Sequence, residues 1–233
     1  MTGKIIVVIS QPRTGGSLVM HALNSYDPIL NLYEFFPRSD MDFDKEHDYS
    51  NAKNAVSLMT SLETDNTIVC MKIQSYQLLN LGYNEIDKIL GLPHVEVILL
   101  ERNKLSAWIS TEQAKKTSQY SKCNTDEVLV KFDLHDFLAY YKRCTNFYKF
   151  IREKLQYLDK NYLEMSYEKD LEEFSYDKFH ALIDPWLESR GIVLGKKHQE
   201  MVFTKQRTVP IEQCISNYYD QGKTLIEFFR NKK

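Results

Sequence analysis

Residues 4–17 read KIIVVISQPRTGGS. The first seven, Lys4–Ser10, form a continuous β-branched run with no polar alternation, the pattern of a strand buried on both faces of a parallel sheet. The run stops at Gln11-Pro12-Arg13-Thr14-Gly15-Gly16-Ser17, and residues 17–25 then carry Leu18, Ala22 and Leu23 at helical spacing. Strand, glycine loop and helix therefore follow one another directly. Glycines let the backbone curl so that several N–H groups face one anion, and the helix N-terminus adds free donors and the positive end of a dipole. Arg13 contributes a charged fork, and Thr14 and Ser17 contribute hydroxyls. The loop reads as a phosphate cradle at the carboxyl end of a strand, where ligands bind in such sheets.

Outward from this unit, strands and helices alternate. Strands are predicted at residues 67–73, at 95–100 after Pro93, and at 162–165. Helices are predicted at 52–62, 103–119, 134–158, 176–190 (ending at Gly191) and 210–229, with loops at 27–44 and 121–126. No repeat or linker interrupts the pattern. The expectation is α/β: a three-layer α/β/α arrangement around a short parallel sheet, as one domain over residues 1–233. A chain of 233 residues is long enough to bury a core of that kind.

Composition narrows the function. With 30 Lys and Arg against 32 Asp and Glu, the formal net charge is −2, so there is no broad basic footprint for nucleic acid. Any anion site must be a local concentration of charge. The four cysteines, at 70, 123, 144 and 214, have no metal-ligand spacing, the six histidines are scattered, and no metal site is expected. Unpatterned cysteines suit a reducing compartment. No apolar run has the roughly 18–20 residues of a membrane span, and residues 5–9 are too short for a signal-peptide core. A cytoplasmic chain is expected.

The loop lacks the Gly-Lys-Ser/Thr ending of a nucleoside-triphosphate P-loop, because its basic residue precedes the glycines. Instead, Pro12-Arg13-Thr14-Gly15-Gly16-Ser17-Leu18 after an apolar N-terminal strand resembles the 5′-phosphosulfate loop of sulfotransferases that use 3′-phosphoadenosine 5′-phosphosulfate (PAPS). The arginine form resembles the bacterial carbohydrate branch of that family. Three more segments resemble the family in the same order. Val97-Ile98-Leu99-Leu100-Glu101-Arg102-Asn103 with Ser110 is similar to its 3′-phosphate segment; Ser110 falls about two helical turns into the following helix and Ser106 one turn earlier. Leu163 to Leu171, containing Tyr167-Glu168, is similar to a late strand followed by a Tyr-Glu turn, read as structural. Phe203-Thr204-Lys205-Gln206-Arg207-Thr208 with Ile215 to Tyr218 is similar to its C-terminal basic loop. Together the four segments span nearly the whole chain.

What the resemblance implies is a P-loop-like sulfotransferase fold and transfer of a sulfuryl group from PAPS to a hydroxyl of a carbohydrate or other small acceptor. The donor-binding residues would be Arg13, Thr14, Gly15, Gly16, Ser17, Arg102, Ser110, Lys205, Gln206 and Arg207. Glu34, in Asn31-Leu32-Tyr33-Glu34-Phe35-Phe36, resembles the family's general base, and its aromatic neighbours would partly desolvate it. Lys72, at the end of a strand, resembles a catalytic lysine, and Arg13 would also meet charge on the 5′-phosphate. Gly16 departs from the pattern, since many relatives place Ser or Thr there. Other side chains read as plain structure: His21 as a helix-face residue, the series Phe137, Tyr140, Tyr141, Phe147, Tyr148 and Phe150 as core at helical spacing, and Asp42, Asp44, Glu46 and Asp48 as a solvated acidic loop. Segments 26–48 and 118–126 are the expected acceptor walls. The competing readings are a P-loop-type nucleotide kinase and a non-catalytic nucleotide-binding module. No sequence feature specifies the oligomeric state.

Overall fold

After its first residue, every position of β1 (Lys4–Ser10) is buried, and alternate side chains enter different cores. The computed structural model describes residues 4–27, 29–34, 57, 59, 68–81, 83–118, 125–192, 195, 209–218, 223 and 228–229. β1 is the middle of a five-stranded sheet with β2 (Ile29–Glu34), β3 (Ile68–Gln74), β4 (Val95–Glu101) and β5 (Tyr162–Ser166), in the order β2-β3-β1-β4-β5. Every pairing is parallel. Ile5, Val7 and Ile9 join Val69, Met71, Val97 and Leu99 on one face, while Ile6 and Val8 join Cys70, Ile98 and Leu100 on the other. Each such fully buried aliphatic side chain stabilises the fold by on the order of 1.5–3 kcal/mol.

Helices cover both faces. α1 (Gly16–Leu23) and α6 (Tyr176–Ser189) pack on the Ile6 face; α2 (Ser75–Asn80), α3 (Tyr83–Gly91) and α5 (Leu134–Tyr157) pack on the Ile5 face. The reason is handedness. The chain steps one way from β1 to β2 and the other way from β3 across β1 to β4, and right-handed crossovers then put their helices on opposite faces. The crevice at the carboxyl end of β1 lies at that change of direction. A third cluster joins α4 (Lys104–Thr117) to Phe132, Phe137, Tyr140 and α7 (Ile211–Cys214). None of the described helices is long and apolar enough to cross a membrane.

The expected α/β/α class stands, with three differences in detail. Inside the stretch expected to be a loop at 27–44, residues Ile29–Glu34 form the edge strand β2. Its signal is weak because an edge strand is covered on one side only, and Leu30 and Tyr33 remain exposed. Between β3 and β4 the chain makes α2 and α3, which the sequence reading did not anticipate. The helix expected over 210–229 is interrupted after Cys214, where Ile215 makes a parallel bridge with Val130; Lys223, Phe228 and Phe229, the described residues further along, are helical. Ile211, Cys214, Ile215 and Tyr218 have helical spacing, but the donor Val130 N–H and the acceptor Val130 carbonyl capture the chain at 2.7 and 2.9 Å. The described residues of 52–62, Ser57 and Met59, are helical, with Met59 in the first core. The aromatic series of α5 is core, as expected: Phe137 and Tyr140 belong to the third cluster and Phe147 and Tyr148 to the first.

Candidate active site

The glycine loop is held from beneath by buried polar ties. Ser75 Oγ donates to Gln11 Oε1 at 2.7 Å, Gln11 N–H donates to the Tyr148 hydroxyl at 3.2 Å, and that hydroxyl donates to the Leu100 carbonyl at 2.7 Å. Burial raises the Tyr148 phenol well above its ordinary pKa, so it stays a neutral strut between β1 and β4. The Thr14 hydroxyl turns inward to the Gln11 carbonyl at 2.7 Å. Of the two hydroxyls expected to face a ligand, Thr14 is therefore committed to the loop itself. Arg13 and Gly15 are both left-handed, with φ of 65° and 92°, and Gly16 returns to the helix. Such alternation of hand brings successive N–H groups to line one concavity.

On the β3 side of the loop stands an acid–base pole. Lys72 leaves β3 with only 6 % of its surface exposed. Its Nζ lies 2.8 Å from Glu34 Oε1 and donates to Ser17 Oγ at 3.3 Å. Gln74 Nε2 donates to the same Glu34 oxygen at 2.7 Å, and Glu34 Oε2 has no partner among the described residues. A buried cation is costly unless paired, so Lys72 and Glu34 hold each other in place. The described partners of Glu34 are polar; Phe35 and Phe36, expected to desolvate it, lie outside the described residues.

A bulge makes this pairing. In the register of β2 on β3, Asn31 faces Cys70 while Glu34 faces Lys72, so three steps on one strand match two on the other. Asn31 builds the irregularity: its amide donates to the Met20 carbonyl at 2.5 Å, and its Oδ1 accepts from Tyr33 N at 2.8 Å. Tyr33 takes the left-handed φ of 52°, and its hydroxyl meets His21 Nδ1 at 3.2 Å. Bulges re-aim side chains in this way beside functional sites.

Gly16 is explained by the same pole. A Cβ there would stand 2.8 Å from Lys72 Cδ and 3.0 Å from Ser10 Oγ. The hydroxyl residue common in the resembling family has no room while Lys72 lies across the loop. Gly16→Ser is therefore expected to lose about 1–3 kcal/mol of stability, read as a lower urea midpoint. An unchanged midpoint would mean that Lys72 swings aside freely.

On the β4 side stands an arginine pole. Lys104 and Arg152 bond to Glu101 at 2.5 and 2.6 Å; burial pushes that carboxyl's pKa up, but these bonds outweigh it and hold it below its ordinary value. The strand end is thereby pinned, and the next residue, Arg102, crosses to the loop. Its Nη1 donates to the Arg13 carbonyl at 3.0 Å, and its guanidinium lies 4.0 Å over the Tyr167 ring. Arg13 Nε donates to Ser110 Oγ at 3.1 Å. Ser106 is buried in the first turn of α4, where Asn103 Oδ1 caps its N–H, so it belongs to the helix start.

The structure thus brings Arg13, Arg102 and Ser110 together on one side of the loop, and Glu34, Lys72 and Ser17 on the other. Lys205, Gln206 and Arg207, and the acidic run at 42–48, lie outside the described residues. Sequence reasoning missed Gln74, Asn31 and the contacts of Tyr167. A depression of about 470 Å³ lined by Arg152, Gln156, Lys160 and Tyr162 opens beside the start of β5. Among the described residues, no three His, Cys, Asp or Glu side chains gather as a metal group. No protein-family model matches the chain and no curated protein matches it.

Proposed function

We propose that the chain is a sulfotransferase that moves the sulfuryl group of PAPS to a hydroxyl of a carbohydrate or other small acceptor. The observation that carries this reading is the placement of two polar poles on either side of one glycine loop. A nucleoside triphosphate has a single run of charge and accounts for the loop alone; a donor with separate 5′ and 3′ charges accounts for the loop and for the arginine pole.

In this reading the loop N–H groups, Ser17 and Arg13 receive the 5′-phosphosulfate, while Arg102 and Ser110 receive the 3′-phosphate. Lys205, Gln206 and Arg207 are assigned to the nucleotide by the family resemblance alone. Glu34 is the general base. The acceptor O–H breaks and its proton passes to the Glu34 carboxylate, whose Oε2 has no partner among the described residues. The acceptor oxygen forms the new O–S bond as the bond from sulfur to the 5′-phosphate oxygen breaks. The leaving phosphate takes that electron pair, and Lys72 with the loop N–H groups meets the growing charge. Most of the acceleration comes from positioning and electrostatics, as in phosphoryl transfer.

Thermal melting tests the donor. A ligand that binds only the folded chain stabilises it by about 2.7 kcal/mol at a hundred times Kd, a rise of roughly 5–10 °C for a chain of this size. Adenosine 3′,5′-bisphosphate is expected to give that rise and ATP with Mg²⁺ is not. The reverse result sinks the sulfotransferase reading in favour of a kinase. A rise with the bisphosphate but no transfer from PAPS to any hydroxyl would leave a binding module.

A further inference from the structure

The turn after β5 takes no part in the chemistry above, yet it touches the loop at Gly15 and the Arg102 side chain beside it. Tyr167–Leu171 is a single π-helical turn, a winding that recurs at functional sites. Asp170 Oδ2 accepts from Ser166 N at 2.7 Å, and Leu171 is buried in the second core, so the turn is anchored at both ends. It delivers the Tyr167 ring into the gap between the glycine loop and β4. Ring atom Cδ2 lies 2.6 Å from where a Cβ on Gly15 would stand, and the Arg102 guanidinium lies 4.0 Å over the ring centroid. Glu168 fixes the same corner: its Oε1 accepts from Asn103 N at 2.9 Å and lies 4.0 Å from Arg102 Nε. Asn103 in turn caps α4, the helix that carries Ser110.

We infer that Tyr167 is a positioning residue for 3′-phosphate recognition: its ring sets the plane of Arg102 and the spacing of that arginine from the loop. The inference rests on the donor assignment above. A free arginine side chain has many rotamers, and a guanidinium stacked on an aromatic face has few. Because the same ring also touches Gly15, one rigid group separates the 5′ and 3′ subsites. The site then favours a nucleotide carrying both charges over a 5′-monophosphate.

Calorimetric titration of the full chain with adenosine 3′,5′-bisphosphate and with adenosine 5′-monophosphate tests this. Tyr167→Phe keeps the ring and is expected to keep the wild-type ratio of the two affinities. Tyr167→Leu keeps bulk beside Gly15 but not the flat face; it is expected to weaken the bisphosphate about tenfold and to leave the monophosphate nearly unchanged. In an Arg102→Ala background, Tyr167→Leu is expected to cost nothing further, whereas a merely structural role would add its own loss. Equal weakening of both nucleotides, or none, overturns the inference. If Tyr167→Leu does not fold, Arg102→Lys puts the question from the other partner: it keeps the charge, gives up the plane, and must lose the preference. Retained preference there is equally fatal. A wild-type chain with no preference for the bisphosphate would bring down the donor assignment itself, whereas a wild-type preference that survives Tyr167→Leu removes only Tyr167.

Discussion

Glu34→Gln is expected to slow sulfuryl transfer by roughly 10²–10⁴-fold while the chain still binds adenosine 3′,5′-bisphosphate. The amide keeps the shape of the carboxylate and can still accept from Gln74 and Lys72 through its oxygen, the contacts now made at 2.7 and 2.8 Å. What it loses is the ability to take a proton from the acceptor. Lys72 loses its counter-charge but keeps Ser17, so its charge becomes more available to an anion and bisphosphate affinity holds or rises. Radiolabelled PAPS turnover measured beside calorimetric binding separates the two effects. Full transfer in the variant removes Glu34 as the base, and joint loss of transfer and binding would make Glu34 a structural partner of Lys72 instead.

Gly15→Ala is expected to be the most damaging single methyl group in the loop. At φ of 92°, alanine meets a backbone penalty of about 1–2 kcal/mol. Its Cβ would also fall 2.6 Å from Tyr167 Cδ2 and 3.3 Å from Leu171 Cδ1, an overpacking that costs about 1–3 kcal/mol more. The sum corresponds to a fall in melting temperature of about 10 °C, together with loss of bisphosphate binding as the ring and Arg102 are pushed aside. Gly191→Ala is the control. Gly191 also has positive φ, 68°, but nothing lies within 4 Å of its would-be Cβ, so only the backbone penalty applies. Equal melting temperatures for the two variants would show that Tyr167 is not wedged against the loop.

The central unit was legible because its signals are local. A run of β-branched residues without polar alternation can only be a strand covered on both faces, and a glycine-rich turn leading into a helix can only curl. That reasoning placed β1, β3, β4 and β5, the loop, and the core role of the aromatic residues on α5. The family resemblance pointed to Arg102 at a strand end and Ser110 on the next helix, a spacing that the helical period accommodates. Elements that depend on partners were not legible in the same way. β2 is buried only at Ile29 because it lies at an edge, and Asn31 and Glu34 interrupt its apolar residues. The expected helix is broken at Ile215, which has helical spacing yet bridges to Val130, because a backbone partner distant in sequence outweighs the local pattern there.

What the sequence determined by itself is the parallel α/β architecture and a glycine loop at the carboxyl end of its first strand, since each follows from residue pattern and backbone freedom within one short segment. Only the tertiary structure decided which side chains meet there. The Asn31 bulge puts Glu34 opposite Lys72, the buried lysine leaves Gly16 no room for a side chain, and the π-helical turn sets Tyr167 between Gly15 and Arg102. Each of these is a contact between groups far apart in the chain. It is set by sheet register and by the space left after packing, and neither is encoded in any single stretch of residues.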